Sequence, residues 1–133
     1  RGALYNKGNA LSDLGKNEEA LKYFDKILEL DPKYAGGWNS KGIILRRLGK
    51  LEEAIKCYEK ATELDPENSK VWMNKGIVFG ELGKHKDAIL CFDKAIELDP
   101  TDKDAWMNKG VALDKLGKHE EALKCFARWR ELK

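Results

Sequence analysis

Glycine stands at residues 8, 42, 76 and 110, at a constant interval of 34. Ala20, Ala54, Ala88 and Ala122 keep the same interval, as do Pro32, Pro66 and Pro100. Trp38, Trp72 and Trp106 follow it too, with Leu4 in the matching place of the first repeat. A fixed period of this size marks stacked copies of one supersecondary unit, none of which buries its apolar face alone. The period sets repeats at residues 1–34, 35–68, 69–102 and a slightly shortened 103–133, forming a single array over 1–133.

Within a repeat the residues spell two helices. In the third, Ser69 is placed to cap the first helix, and Val71, Trp72, Ile77, Val78, Phe79 and Leu82 supply a broad apolar face. Leu82-Gly83-Lys84 ends it, because glycine adopts the left-handed conformation that stops a helix at little cost. The same tripeptide recurs at 14–16, 48–50 and 116–118. Ala88, Ile89, Phe92, Ala95, Ile96 and Leu98 then recur at helical spacing. Asp99-Pro100 closes the second helix, since proline pushes the residue before it out of the helical region. Gly76 and Ala88 are small where the helices approach, while Trp72 and Phe92 are large enough to fill the gap beside them. Glu18–Lys22, Glu52–Lys56 and Glu120–Lys124 are spaced as i,i+4 surface pairs.

Charged residues make up 36% of the chain, which suits a thin array with much surface per residue. The first three repeats are close to neutral, and only the fourth is biased, with eight basic residues against five acidic. That is short of the clustered basic excess of a nucleic-acid binder. No apolar run approaches the ~18 residues of a membrane span. Cys57, Cys91 and Cys125 occupy one repeat position, and repeats stacked ~10 Å apart hold such thiols beyond disulfide reach. Three unpaired thiols predict a reducing, cytoplasmic setting. The chain starts without Met at a helix-interior position, as expected of a piece of a longer protein.

Trp at repeat position 4, Gly at 8, Ala at 20, an aromatic at 24 and Pro at 32 together resemble the tetratricopeptide repeat. The set recurs as Gly8, Ala20, Phe24 and Pro32; Gly42, Ala54, Tyr58 and Pro66; Gly76, Ala88, Phe92 and Pro100; and Gly110, Ala122 and Phe126. Pentatricopeptide RNA readers run at 35 residues and lack this set. The resemblance covers the whole chain and implies a right-handed superhelical solenoid of antiparallel helix pairs. First helices would line a concave groove that takes a peptide or a partner helix. Lys7, Lys41, Lys75 and Lys109 depart from the family, which often has Leu there. They read as lysines with packed stems and ammonium groups in water rather than as a ladder for anions.

The resemblance places groove-facing residues on the first helices. Tyr5, Asn6 and Asn9 come from the first repeat, and Asn39, Ile43, Arg46 and Arg47 from the second. Lys70, Met73, Asn74 and Ile77 come from the third, and Met107, Asn108 and Val111 from the fourth. Asn6, Asn74 and Asn108, with Ser40 between, form an amide column similar to the asparagine ladder of the O-linked N-acetylglucosamine transferase repeats. Such amides could hold any peptide backbone, or they could simply belong to the repeat pattern. Met73 and Met107 offer an adaptable apolar floor, although packing between first helices is open to them as well. Arg46 and Arg47, with Lys70, bias the surface toward acidic partners. Of the carboxylate clamp found in chaperone-type members, only Asn9 and Lys70 match, so that clamp is not expected.

The sequence offers no catalytic or metal-binding pattern. His85 and His119 lie 34 apart rather than four, and no Cys-x-x-Cys or glycine-rich phosphate loop occurs. The expected function is therefore a non-catalytic protein–protein interaction scaffold without a cofactor. Two alternatives stay open: a structural spacer or self-associating segment of a longer array, and a recruiting arm of an enzyme lying outside these residues. Trp129, flanked by Arg128 and Arg130, is the candidate for self-association. Gly36-Gly37 is expected to loosen the start of the second repeat's first helix.

Overall fold

A computed structural model describes residues 2–133. Among these residues the chain is all-α, with helices α1 (Gly2–Asp13), α2 (Asn17–Leu30), α3 (Ala35–Arg47), α4 (Leu51–Leu64), α5 (Ser69–Glu81), α6 (His85–Leu98), α7 (Lys103–Lys115) and α8 (His119–Glu131). Contacts divide the chain into two units, Arg1–Pro66 with α1 to α4 and Glu67–Lys133 with α5 to α8.

In the first unit α1 packs on α2, α2 on α3 and α3 on α4. Gly15 and Gly49 take φ of +83° and +80°, and their amides close back on Ser12 and Arg46 carbonyls. This is the left-handed stop expected of each Leu-Gly-Lys. The second helices end as the Asp-Pro dipeptides require: Asp31 and Asp65 leave the helical region at φ −142° and −141°, each with ψ 82°. Phe24 and Tyr58 are fully buried. Their rings lie where a Cβ on Gly8 or Gly42 would stand, 2.7 and 2.6 Å away. The small-to-large pairing thus fills each hairpin core. Trp38 adds a clamp between repeats by donating its indole N–H to the Pro32 carbonyl at 2.8 Å.

The second unit repeats this arrangement through α5, α6, α7 and α8. Phe92 faces Gly76, and Phe126 faces Gly110. Trp106 donates to the Pro100 carbonyl at 3.0 Å. One expectation is corrected here. Asn68, not Ser69, caps α5, its side chain accepting from the Lys70 amide at 3.1 Å. Asp102 does the same for α7 through the Asp104 amide. Ion pairs at i,i+3 spacing form at Lys60–Glu63 in the first unit and at Lys94–Glu97 and Arg128–Glu131 in the second, at 3.8, 3.6 and 3.1 Å, at positions other than the expected i,i+4 pairs.

The two glycines opening α3 have a packing role. A Cβ on Gly36 or Gly37 would stand 3.1 or 3.2 Å from the Tyr34 ring, and one on Gly37 would also meet Leu28. Tyr34 at the N-cap supplies no side-chain hydrogen bond, in contrast to Asn68 and Asp102. An uncapped start bearing two glycines should open more readily. Amides 35–39 are expected to exchange faster than amides 69–73 in hydrogen-exchange NMR; equal protection would contradict this.

Candidate binding surface on the first helices

In the first unit the candidate residues are largely engaged within the protein. Tyr5 sits edge-on to Phe24 at 5.6 Å and lies 5.5 Å from Tyr34. Its hydroxyl accepts a hydrogen bond from Ser40 at 3.3 Å. Ser40 is buried, so this member of the amide column faces Tyr5 rather than solvent. Asn6 is exposed, while Asn9, Asn39 and Ile43 are half-buried.

Arg47 reaches from α3 to α1. Its guanidinium donates to the buried Ser12 hydroxyl and lies 3.7 Å from the Asp13 carboxylate. Ser12 in turn donates to Asn17 Oδ1 at 2.8 Å. This chain of partners ties α3, α1 and the start of α2 together, and it occupies the cation proposed from sequence as a receptor for acidic ligands. Arg46 is exposed on the same turn, with an interaction of its own.

In the second unit Lys70 is also committed. Its ammonium pairs with Asp102 at 3.1 Å, and this contact holds the lysine pKa above its ordinary value. Asp99 is held below the usual carboxylate range by hydrogen bonds from the Thr101 hydroxyl and amide. Met73 is 6% exposed and packs with Ala88, Phe92 and Ala105 in the core, leaving it little surface for a ligand. Met107, Asn74 and Asn108 are half-buried, and Val111 is 41% exposed.

Ile77, Asn108 and Val111 are brought together around an open pocket of ≈ 260 Å³. From α5 it is lined by Gly76, Ile77, Gly80 and Glu81, and from α6 by His85, Ala88 and Phe92. Ala112 and Lys115 of α7 complete it. Its floor is apolar and its polar groups stand at the rim. The remaining candidates, Lys70, Met73, Asn74 and Met107, do not line it. His85 and Phe92, on the second helix α6, are contributors that sequence reasoning did not select. A signal for the pocket was present: repeat position 12 reads Ser12, Arg46, Gly80 and Asp114, and only the third lacks a side chain.

The lysine column belongs to neither surface. Lys7 lies over the Tyr23 ring at 5.1 Å, and Lys75 over Trp72 at 5.3 Å. Lys41 pairs with Asp25 at 2.8 Å and Lys109 with Asp93 at 2.6 Å. Lys7 is exposed and the other three are half-buried, and these ammonium groups rest on rings or carboxylates rather than in bulk water alone. Cys57, Cys91 and Cys125 are buried and outside any disulfide, and burial pushes the Cys57 thiol up to about 11. Trp129 is half-buried, with the Lys103 ammonium 4.8 Å from its ring. Among the described residues no cluster of His, Cys, Asp and Glu could hold a metal ion, and no helix is long and apolar enough to cross a membrane.

Helical hairpins on a 34-residue period, with shallow open surface along their first helices, define a helical-repeat interaction protein. The tetratricopeptide repeat matches the sequence over residues 2–34, 35–68 and 69–102, and a second form of the same repeat matches 91–124. The chain belongs to the tetratricopeptide repeat family. No curated protein matches it. Among solved structures it is similar to MamA, at 25% identity and a TM-score of 0.93 over 96% of this chain and 75% of that one. MamA from Desulfovibrio magneticus RS-1 aligns at 26% identity and 0.91, over 97% and 73%. YrrB, described as a tetratricopeptide repeat protein with an unusual peptide-binding site, aligns at 32% and 0.86, over 96% and 66%.

Proposed function

We propose that this chain is a non-catalytic scaffold that binds a peptide or helical segment of a partner protein along its first helices. Family membership supports the interaction role, and the similarity to YrrB, with its peptide-binding site, supports a peptide as the ligand. The observation that carries the reading is the apolar pocket rimmed by polar groups between α5, α6 and α7. Asn6 and Asn9 in the first unit, and Asn74, Met107 and Asn108 in the second, are further proposed contacts. A preference for acidic partners rests less on Lys70 and Arg47, which already hold Asp102 and Asp13.

Three buried cysteines outside any disulfide support a reducing compartment, for which the cytoplasm is our reading. Self-association through Trp129 draws less support, because that ring is half-buried beside Lys103. The test is capture from the source lysate with wild type and with Asn74→Ala/Asn108→Ala, compared by mass spectrometry. Partners lost with the double variant are expected. Identical recoveries from both baits would favour a spacer within a longer array.

A further inference from the structure

The two units carry the same repeat positions 68 residues apart, and at one place they differ in kind. Where the first unit has Ser12, Asn17 and Arg47, the second has Gly80, His85 and Lys115. In the first unit these three side chains bond to one another and span the space between α1 and α3. In the second unit Gly80 has no hydroxyl to receive Lys115, and a Cβ built on Gly80 would meet nothing within 4 Å. The pocket is the space that this exchange leaves open.

Its size and chemistry narrow the occupant. At ≈ 260 Å³ it falls below the ~300–1,000 Å³ of small-molecule sites, which points to one side chain rather than a cofactor. Phe92, Ile77 and Ala112 make the floor apolar. Around the rim, the side chains of Lys115, His85 and Asn108 make no hydrogen bond or ion pair with any described residue. Glu81, the one acid at the rim, already has an interaction of its own. The charge left uncompensated is therefore the Lys115 ammonium.

We propose that this pocket anchors one bulky aliphatic side chain of a bound peptide, with Lys115 receiving a carboxylate on the adjacent peptide residue. The inference rests on the interaction reading above and deepens it. Gly80 is the specificity determinant, because its missing side chain opens the pocket. Asn108 is placed to hold the peptide backbone, since a carboxamide both donates and accepts. The first unit presents no equivalent anchor, as Arg47 already bridges to Ser12 there.

The test uses an acetylated and amidated pentapeptide, Gly-Ser-Leu-Glu-Gly, titrated into 15N-labelled protein to a few millimolar. Amide shifts are expected at Ile77, Asn108 and Val111. Changing the peptide leucine to alanine, or the protein by Gly80→Leu, should each weaken binding about tenfold or more. Lys115→Gln should weaken the glutamate peptide several-fold and leave its glutamine counterpart unchanged. Gly80→Leu should not threaten folding, because the site is open and leucine is the better helix former; a melting curve confirms that separately. Equal binding of the leucine and alanine peptides, or undiminished binding by Gly80→Leu, would overturn the proposal. Shifts confined to Asn6, Asn9 and Ile43 would overturn the anchor while leaving a groove-binding scaffold in place. No shifts at all would overturn the anchor, and the lysate comparison would still decide the scaffold reading on its own.

Discussion

Phe24→Ala should cost the first unit about 3–5 kcal/mol, the range for removing a fully buried aromatic from a core. The ring is wholly buried and packs with Ala20, Ile27 and Ile44. It also supports Tyr5, whose ring meets it edge-on. Tyr5 in turn receives the Ser40 hydroxyl, so the loss should spread to the α1–α3 contact. Backbone at Gly8 and Ala20 cannot collapse far enough to refill the space, since those residues have little side chain to move. Urea unfolding followed by circular dichroism measures the effect. Leu123→Ala is the control, because Leu123 is 62% exposed and exposed substitutions stay within ~0.5 kcal/mol. A loss below ~1 kcal/mol for Phe24→Ala would mean that the hairpin core does not depend on this ring.

The elements were legible because each is marked by a residue that physics nearly forces. Gly15, Gly49, Gly83 and Gly117 all take positive φ, as a helix stop of this kind requires. Asp before Pro lies outside the helical region in all three cases. Less legible was the cap of α5, where Asn68 and Ser69 are both good capping residues and only backbone geometry chooses between them. Pattern also failed to separate Met73 from Met107. They share a repeat position and a residue type, yet the first is buried and the second only half-buried. Arg47 looked available because a sequence does not show that Ser12 and Asp13 stand within its reach. The pocket was hardest to read of all. It is made by an absent side chain at Gly80 acting together with neighbours on two other helices, and no spacing rule marks an absence.

Glycine at two positions inside first helices, Gly42 in α3 and Gly80 in α5, should respond to the same substitution with opposite sign. Gly42→Ala should destabilise the first unit by about 1–3 kcal/mol, the cost of forcing an extra methyl into a packed core. The added Cβ would stand 2.6 Å from Cε1 of Tyr58, a ring with no exposed surface and no free direction in which to retreat. Alanine's better helix propensity, worth about 1 kcal/mol, works against this penalty and sets its lower end. Gly80→Ala gains the same propensity with no clash, since nothing lies within 4 Å of the new methyl. It should therefore stabilise the second unit by about 0.5–1 kcal/mol. Both glycines lie inside first helices, so backbone conformation is common to the two and only the neighbouring ring differs. Thermal unfolding of the two single variants reads the signs directly. Stabilisation by both would mean that Tyr58 can shift, and that the 34-residue glycine is tolerated rather than required.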